Sequence, residues 1–128
     1  MSQEPTQSAI PAIKVIAMPK DANADGDIFG GWILSMMDLA AAIVARSEAH
    51  GRVVTVALNN MAFHLPVYIG DRVECYGEVA RIGNTSITIS VQTWVERRDG
   101  SGRFKVTEGE FTFVAIDENR KPRQIKKS

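Results

Sequence analysis

The sequence predicts an α+β domain in which one long helix is wrapped by a curved antiparallel β-sheet of about five to six strands. Three observations predict it. A single long stretch, about Gly31 to His50, has helical composition and is apolar nearly all round. Four later stretches are long and rich in β-branched residues. The connections between those stretches are short turn formers, which makes neighbouring strands antiparallel. A length of 128 residues suits one domain, here residues 1–128, with 1–9 and 122–128 expected to be flexible.

Ile13 to Met18 is a short β-rich run stopped by Pro19, and reads as the first strand. Lys20 to Gly31, KDANADGDIFGG, is a loop by its turn chemistry. The helix follows and Gly51 stops it. Few of its residues are polar, among them Ser35, Asp38, Arg46, Ser47 and Glu48, so either the sheet or a second subunit must cover it nearly completely. Val53 to Phe63 is the next strand. Pro66 and Ile69-Gly70-Asp71 break the chain before Arg72 to Ile82, where Val73, Cys75, Gly77 and Val79 alternate with Arg72, Glu74, Tyr76 and Glu78. After the Gly83-Asn84 turn, Thr85 to Glu96 alternates in the same way. Asp99-Gly100 and Ser101-Gly102 form a hairpin connection to the last strand, Phe104 to Ile116. The basic tail Lys121 to Lys127 reads as frayed. Trp94 and Tyr76 fall on the wetter parity of their strands, which suggests a subunit contact.

Composition narrows the function. Hydrophobic residues make up 45% and charged residues 23%, an ordinary globular balance. Lys plus Arg equals Asp plus Glu, so the formal net charge is zero and nothing draws the chain as a whole to nucleic acid or an anionic membrane. The longest apolar stretch, Trp32 to Ala45, is too short to span a bilayer, and MSQEPTQSA lacks the pattern of a signal peptide. One cysteine, Cys75, fits a reducing compartment, and a cytoplasmic location is expected. With only His50 and His64 beside that cysteine, no metal site is expected.

Asp38 is the chief chemical anomaly. Its same-face neighbours on the helix are Leu34, Ser35, Ala41 and Ala42, mostly small, so a substrate has room beside it. A carboxylate placed there can act as a general base or as a nucleophile, or it can simply be a solvated or structural residue. Gly30 and Gly31 lead into the first helical turn, where unpaired amides and the positive end of the helix dipole suit a phosphate or a developing oxyanion. Asn23, in the same loop, can orient a water, bond a substrate oxygen, or just form a turn. Thr55 and Ser86 are strand hydroxyls able to donate to a ligand. No GxSxG elbow or Walker loop occurs. Arg81, Lys105, Arg120, Lys121 and Arg123 are candidates for a local anion patch.

The segments NADGDIFGGWILSMMDLAAAIVA, HGRVVTVAL, MAFHLPVYIGDRVECYGEVARIGNTSITISVQTWVE and KVTEGEFTFVAID, in this order, closely resemble the YciA-type acyl-CoA thioester hydrolases over roughly residues 13 to 122. The resemblance implies a hotdog fold and hydrolysis of short- to medium-chain acyl-CoA to free acid and CoA. It implies no cofactor. It also implies a homodimer with interface active sites, assembled further as a trimer of dimers. By resemblance the catalytic aspartate is Asp38, with Asn23, Gly30 and Gly31 beside it. The Asn of such enzymes lies opposite the Asp and comes from the other subunit. Thr55, in the substrate-binding set, lies close to the thioester, and the CoA-contacting turn falls on Gly83, Thr85 and Ser86, with Arg81 and Lys121 suited to the CoA phosphates. The sequence departs from the family pattern at Met36, where Gln is usual, and at His64-Leu65, where Leu-Arg is usual.

Two rivals stand beside this reading. A hydroxyacyl dehydratase of the same fold wants a His near the helix entry, and residues 20–37 contain none. A non-catalytic acyl-CoA or nucleotide-binding hotdog protein would bind without turnover. A DNA-binding regulator is disfavoured by the short polar segment before the first strand.

Overall fold

The computed structural model describes residues 9–125. The elements run β1 (Ile13–Ile16), a 3-10 turn (Pro19–Asp21), α1 (Gly30–Ala49), β2 (Val53–Phe63), β3 (Arg72–Ile82), β4 (Ser86–Glu96) and β5 (Arg103–Ala115). The five strands form one antiparallel sheet in the order β1-β3-β4-β5-β2. β1 and β2 are therefore opposite edges, and α1, which joins them, crosses the whole sheet and touches every strand. Twenty residues give a helix about 30 Å long, against about 19 Å for five strands side by side.

The helix starts where the chain leaves a pinned loop. The Phe29 carbonyl accepts the Trp32 and Ile33 amides, and no side chain caps the end. It stops at His50, whose φ of 56° is left-handed and whose amide returns to the Arg46 carbonyl. Ile33, Met37, Ala40, Ala41 and Ala45 pack on Val73, Cys75, Ile87, Ile89, Val91, Phe111 and Phe113. The small residues set the spacing. A Cβ at Gly77 would stand 3.1 Å from Val44 Cγ2 and 3.2 Å from Ile89 Cγ2, so this stretch of β3 lies directly under the helix.

Two expectations are narrowed and one is corrected. The helix is buried on one side only by its own chain: Leu39 and Ile43 each remain 53% exposed, so the sheet of one chain does not complete the cover. Trp94 is buried by its own chain, with the Arg103 guanidinium 4.6 Å from its ring centroid and 5.6 Å from that of Tyr76. These aromatics thus form a cation–π stack with Arg103 on the outer face of the sheet, with Tyr76 still partly exposed. The tail over 122–125 is not frayed. Pro122 bridges Ile116, Arg123 donates to the carbonyls of Ile116 (3.0 Å) and Ala49 (3.0 Å), and Ile125 is 3% exposed. Residues 1–8 and 126–128, the remainder of the ends expected to be flexible, lie outside the described residues.

Candidate active site

Asp38 stands at the border between the buried stripe of α1 and its exposed stripe, and is itself partly exposed. β2 runs past it. The Thr55 hydroxyl donates to Asp38 Oδ1 at 2.7 Å, the length of a charge-assisted O–H···O bond. The contact joins residues 17 apart in sequence and is formed only because β2 pairs with β5 at the sheet edge beside the helix. It holds one carboxylate oxygen and leaves the other for chemistry.

Gly30 and Gly31 are the first two residues of α1, and among the described residues neither amide has a hydrogen-bond partner. A Cβ at Gly31 would meet nothing within 4 Å, so open space lies beside it, while one at Gly30 would touch the Phe63 ring at 3.6 Å. The loop behind them is rigidly tied. Ala22 bridges Ile28, Asp27 bridges Tyr68, and the Ile28 amide donates to the Val67 carbonyl at 2.9 Å. Asn23 serves this loop: its Oδ1 accepts the amides of Asp25 (2.9 Å) and Asp27 (3.1 Å), a turn of the ordinary Asx kind. The Tyr68 segment is fixed in turn by Asp71, which accepts the Tyr68 amide at 2.8 Å and pairs with Arg97 at 2.5 Å. Arg97 also lies 4.7 Å from the Tyr68 ring centroid. Neither Asp71 nor Arg97 is legible as a scaffold of the helix start, because each sits in a turn where a charge reads as solvated.

Spacing along the helix constrains how these groups combine. Gly31 precedes Asp38 by seven residues, about 10 Å along the axis. Two groups that each approach one carbonyl within about 3 Å are no more than about 7 Å apart. Measured along the backbone, Asp38 and the amides of its own helix start are thus farther apart than one carbonyl spans.

The remaining candidates gather elsewhere. Arg81 lies on the sheet face opposite α1, exposed, with its guanidinium 3.9 Å from Glu110. Gly83 to Ser86 form the β3–β4 turn, closed by the Gly83 amide on the Ser86 carbonyl at 2.8 Å. Lys121 is beside this end of the sheet, its amide bonded to Asp117 Oδ1 at 3.0 Å. The structure thus brings Asp38 to Thr55, while the Gly83–Ser86 turn stands apart from them and Lys121 sits in the tail hairpin with Asp117. Cys75 is buried, bonded to the Thr93 hydroxyl at 3.5 Å, and burial pushes its thiol up to about 11, so it is inert. Among the described residues no cluster of His, Cys, Asp or Glu could hold a metal ion, and no helix is long and apolar enough to cross a membrane.

A long helix crossing a five-stranded antiparallel sheet, with a carboxylate midway along it, defines the class of hotdog-fold proteins. The sequence profile of the thioesterase superfamily matches residues 25–100, and the chain belongs to that superfamily, in its branch of YciA-type acyl-CoA thioester hydrolases. The acyl-CoA thioester hydrolase YciA of Salmonella typhimurium is 47% identical over 116 residues, covering 88% of this chain and 87% of its own. A hexameric thioesterase from Yersinia pestis is 44% identical with a TM-score of 0.90, covering 96% of this chain and 100% of its own. An acyl-CoA hydrolase from Staphylococcus aureus, solved with butyryl-CoA and CoA, is 27% identical with a TM-score of 0.82, covering 88% of this chain and 69% of its own.

Proposed function

We propose that this protein hydrolyses short- to medium-chain acyl-CoA thioesters to the free acid and CoA, with Asp38 as the reacting carboxylate. The observation that carries the reading is the bond from Thr55 to Asp38, which aims a partly exposed carboxylate along an open face of the helix. The similarity to named acyl-CoA hydrolases supports the same substrate class. As a general base, Asp38 takes a proton from water as the hydroxyl adds to the carbonyl. The tetrahedral oxyanion then collapses, the C–S bond breaks, and the proton passes to the CoA sulfur. As a nucleophile, Asp38 displaces CoA thiolate to give an acyl anhydride that water cleaves. Oxygen-18 from labelled water entering Asp38 in a single turnover marks the second route.

The oxyanion donors are the Gly30 and Gly31 amides of a second protomer, and Asn23 of that protomer lies close by. The two-turn separation on one helix supports this arrangement, as do the half-exposed Leu39 and Ile43, which a partner helix would cover. The active unit is then a homodimer with two interface sites. The hexameric state of the Yersinia pestis relative supports a trimer of dimers. CoA phosphates meet Arg81, Lys121 and the Gly83–Ser86 turn. No cofactor takes part, and the location is cytoplasmic, where the CoA thioester and the free thiol of Cys75 both belong.

Thiol release over a panel of acyl-CoAs tests the activity: turnover that vanishes in Asp38→Asn while CoA still binds is the expected result. Binding of acyl-CoA by the wild type without release would favour the non-catalytic alternative. Subunit exchange tests the interface. Asp38→Asn mixed with Gly31→Phe, each inactive alone, should regain part of the wild-type rate, because one site of the mixed dimer is intact. No recovery in verified mixed dimers would return both groups to one chain.

A further inference from the structure

The chain beyond β5 does more than end the fold. At Ile116 it turns back, Pro122 bridging Ile116, with the Asp117 amide on the Lys121 carbonyl at 2.8 Å. Arg123 then makes a clamp. Its backbone amide donates to the Ala115 carbonyl at 2.9 Å, and its guanidinium donates to the carbonyls of Ile116 (3.0 Å), Ala49 (3.0 Å) and Arg52 (3.3 Å). Ala49 is the last residue of α1, so a cation sits at the negative end of the helix dipole and satisfies one of its orphan carbonyls. Two residues on, the Ile125 amide donates to the Asn84 carbonyl at 2.7 Å, and the Ile125 side chain is buried in the core cluster.

Asn84 and Thr85 are the two central residues of the β3–β4 turn. Both of their carbonyls are now held: Asn84 by Ile125, and Thr85 by the Ala115 amide at 2.8 Å. A trans peptide is planar, with its N–H opposite its C=O. Fixing the Asn84 carbonyl toward the tail therefore turns the Thr85 N–H away from it. The tail sets the direction of a donor in the turn that the reading above gives to the CoA phosphates.

We propose that residues 122–125 are a positioning strap for the nucleotide end of CoA, with the Ile125–Asn84 bond as its latch and Arg123 as its anchor on the end of the helix that carries Asp38. The inference rests on the hydrolase reading. The strap acts through the turn, so it concerns only substrates that carry the nucleotide.

The test compares two thioesters of one acyl group, its CoA ester and its N-acetylcysteamine ester, which lacks the nucleotide and its phosphates. Ile125→Pro removes the donor to Asn84 in the full-length chain, and Arg123→Met removes the anchor but keeps the stem. The expected result in each is a KM for the CoA ester raised about tenfold, kcat within about twofold, and unchanged kcat/KM for the N-acetylcysteamine ester. Ile125→Val, which keeps the amide, should behave as the wild type. Equal losses on both esters would show that the tail only supports the fold, and undiminished use of the CoA ester would show that the turn needs no strap. Either result overturns the proposal while leaving the wild-type activity standing. A wild type that cleaves neither ester refutes the hydrolase reading itself, and the strap with it.

Discussion

Thr55→Val should slow turnover about tenfold at unchanged KM. Valine keeps the branched shape of threonine, so the edge strand is undisturbed, but the hydroxyl that donates to Asp38 Oδ1 at 2.7 Å is lost. A hydrogen bond to a charged group is worth about 1.5–3 kcal/mol. Asp38 and Thr55 both reach solvent, so water partly replaces the donor and the lower end, ~1.5 kcal/mol, applies. At 1.36 kcal/mol per decade of rate this is about tenfold. The loss belongs in kcat because the hydroxyl aims the carboxylate and does not itself hold the CoA ester. Thr55→Ser restores the donor and should return most of the rate. A disulfide-exchange thiol assay reads the product, and the protein's own Cys75, buried and with its thiol raised to about 11, adds no background. A valine variant at the wild-type kcat, or serine and valine variants equally impaired, would refute the positioning argument.

Three further outcomes follow from neighbouring features. Gly31→Ala should leave the melting temperature unchanged or higher, since alanine favours a helix by about 1 kcal/mol and its methyl meets nothing within 4 Å. The same methyl occupies the space beside the amide, so kcat/KM should fall, and full activity would remove Gly31 from the oxyanion site. Arg97→Met should cost about 3–5 kcal/mol by stranding Asp71, whose side chain is 3% exposed. Arg72→Met should cost no more than about 1 kcal/mol, because Arg72 pairs with Glu96 at the same 2.5 Å but is 52% exposed; equal denaturation midpoints would overturn the weight given to burial. The Cys75 thiol binds its proton more tightly in the folded chain, with its pKa raised from 9.0 to about 11. Its contribution is therefore full below pH 9 and is lost between pH 9 and 11, a decline of up to about 3 kcal/mol that Cys75→Ala should lack in urea titrations across that range.

The strands were legible because their signal is local. β3 covers Arg72–Ile82 and β4 covers Ser86–Glu96, as the alternation and the Gly83-Asn84 turn predict. The single apolar helix shifts by one residue, since Gly30 adopts helical geometry and His50 takes the left-handed cap. The long-range polar pairs were not legible. Asp71 and Arg97 lie 26 residues apart, and each occupies a turn whose local pattern implies water. The tail misled for the same reason: KPRQIKK has the composition of a frayed end, yet its Arg123 finds carbonyls at the ends of two distant elements. Of the candidate site, Asp38 and Thr55 were legible as residue types and their bond was not, since it depends on β2 pairing with β5 and not with β3.

The apolar character of the whole helix and the two-turn gap between Gly31 and Asp38 look unrelated, but a second copy of the chain, as proposed above, would meet both. Leu39 and Ile43 lie on the half of α1 that its own sheet leaves open, and Val56 and Leu58 of the edge strand β2 are likewise exposed. Exposed apolar side chains of this number, close to Asp38, suit a contact surface. Were the helix wholly covered by its own sheet, Asp38 would be sealed from substrate and no donor could approach it from outside. Were it to remain bare, the carboxylate would face bulk water without an oxyanion partner. The proposed site at the seam between two protomers would satisfy both demands, and would account for the small residues beside Asp38 and the large ones at the exposed edge of the helix.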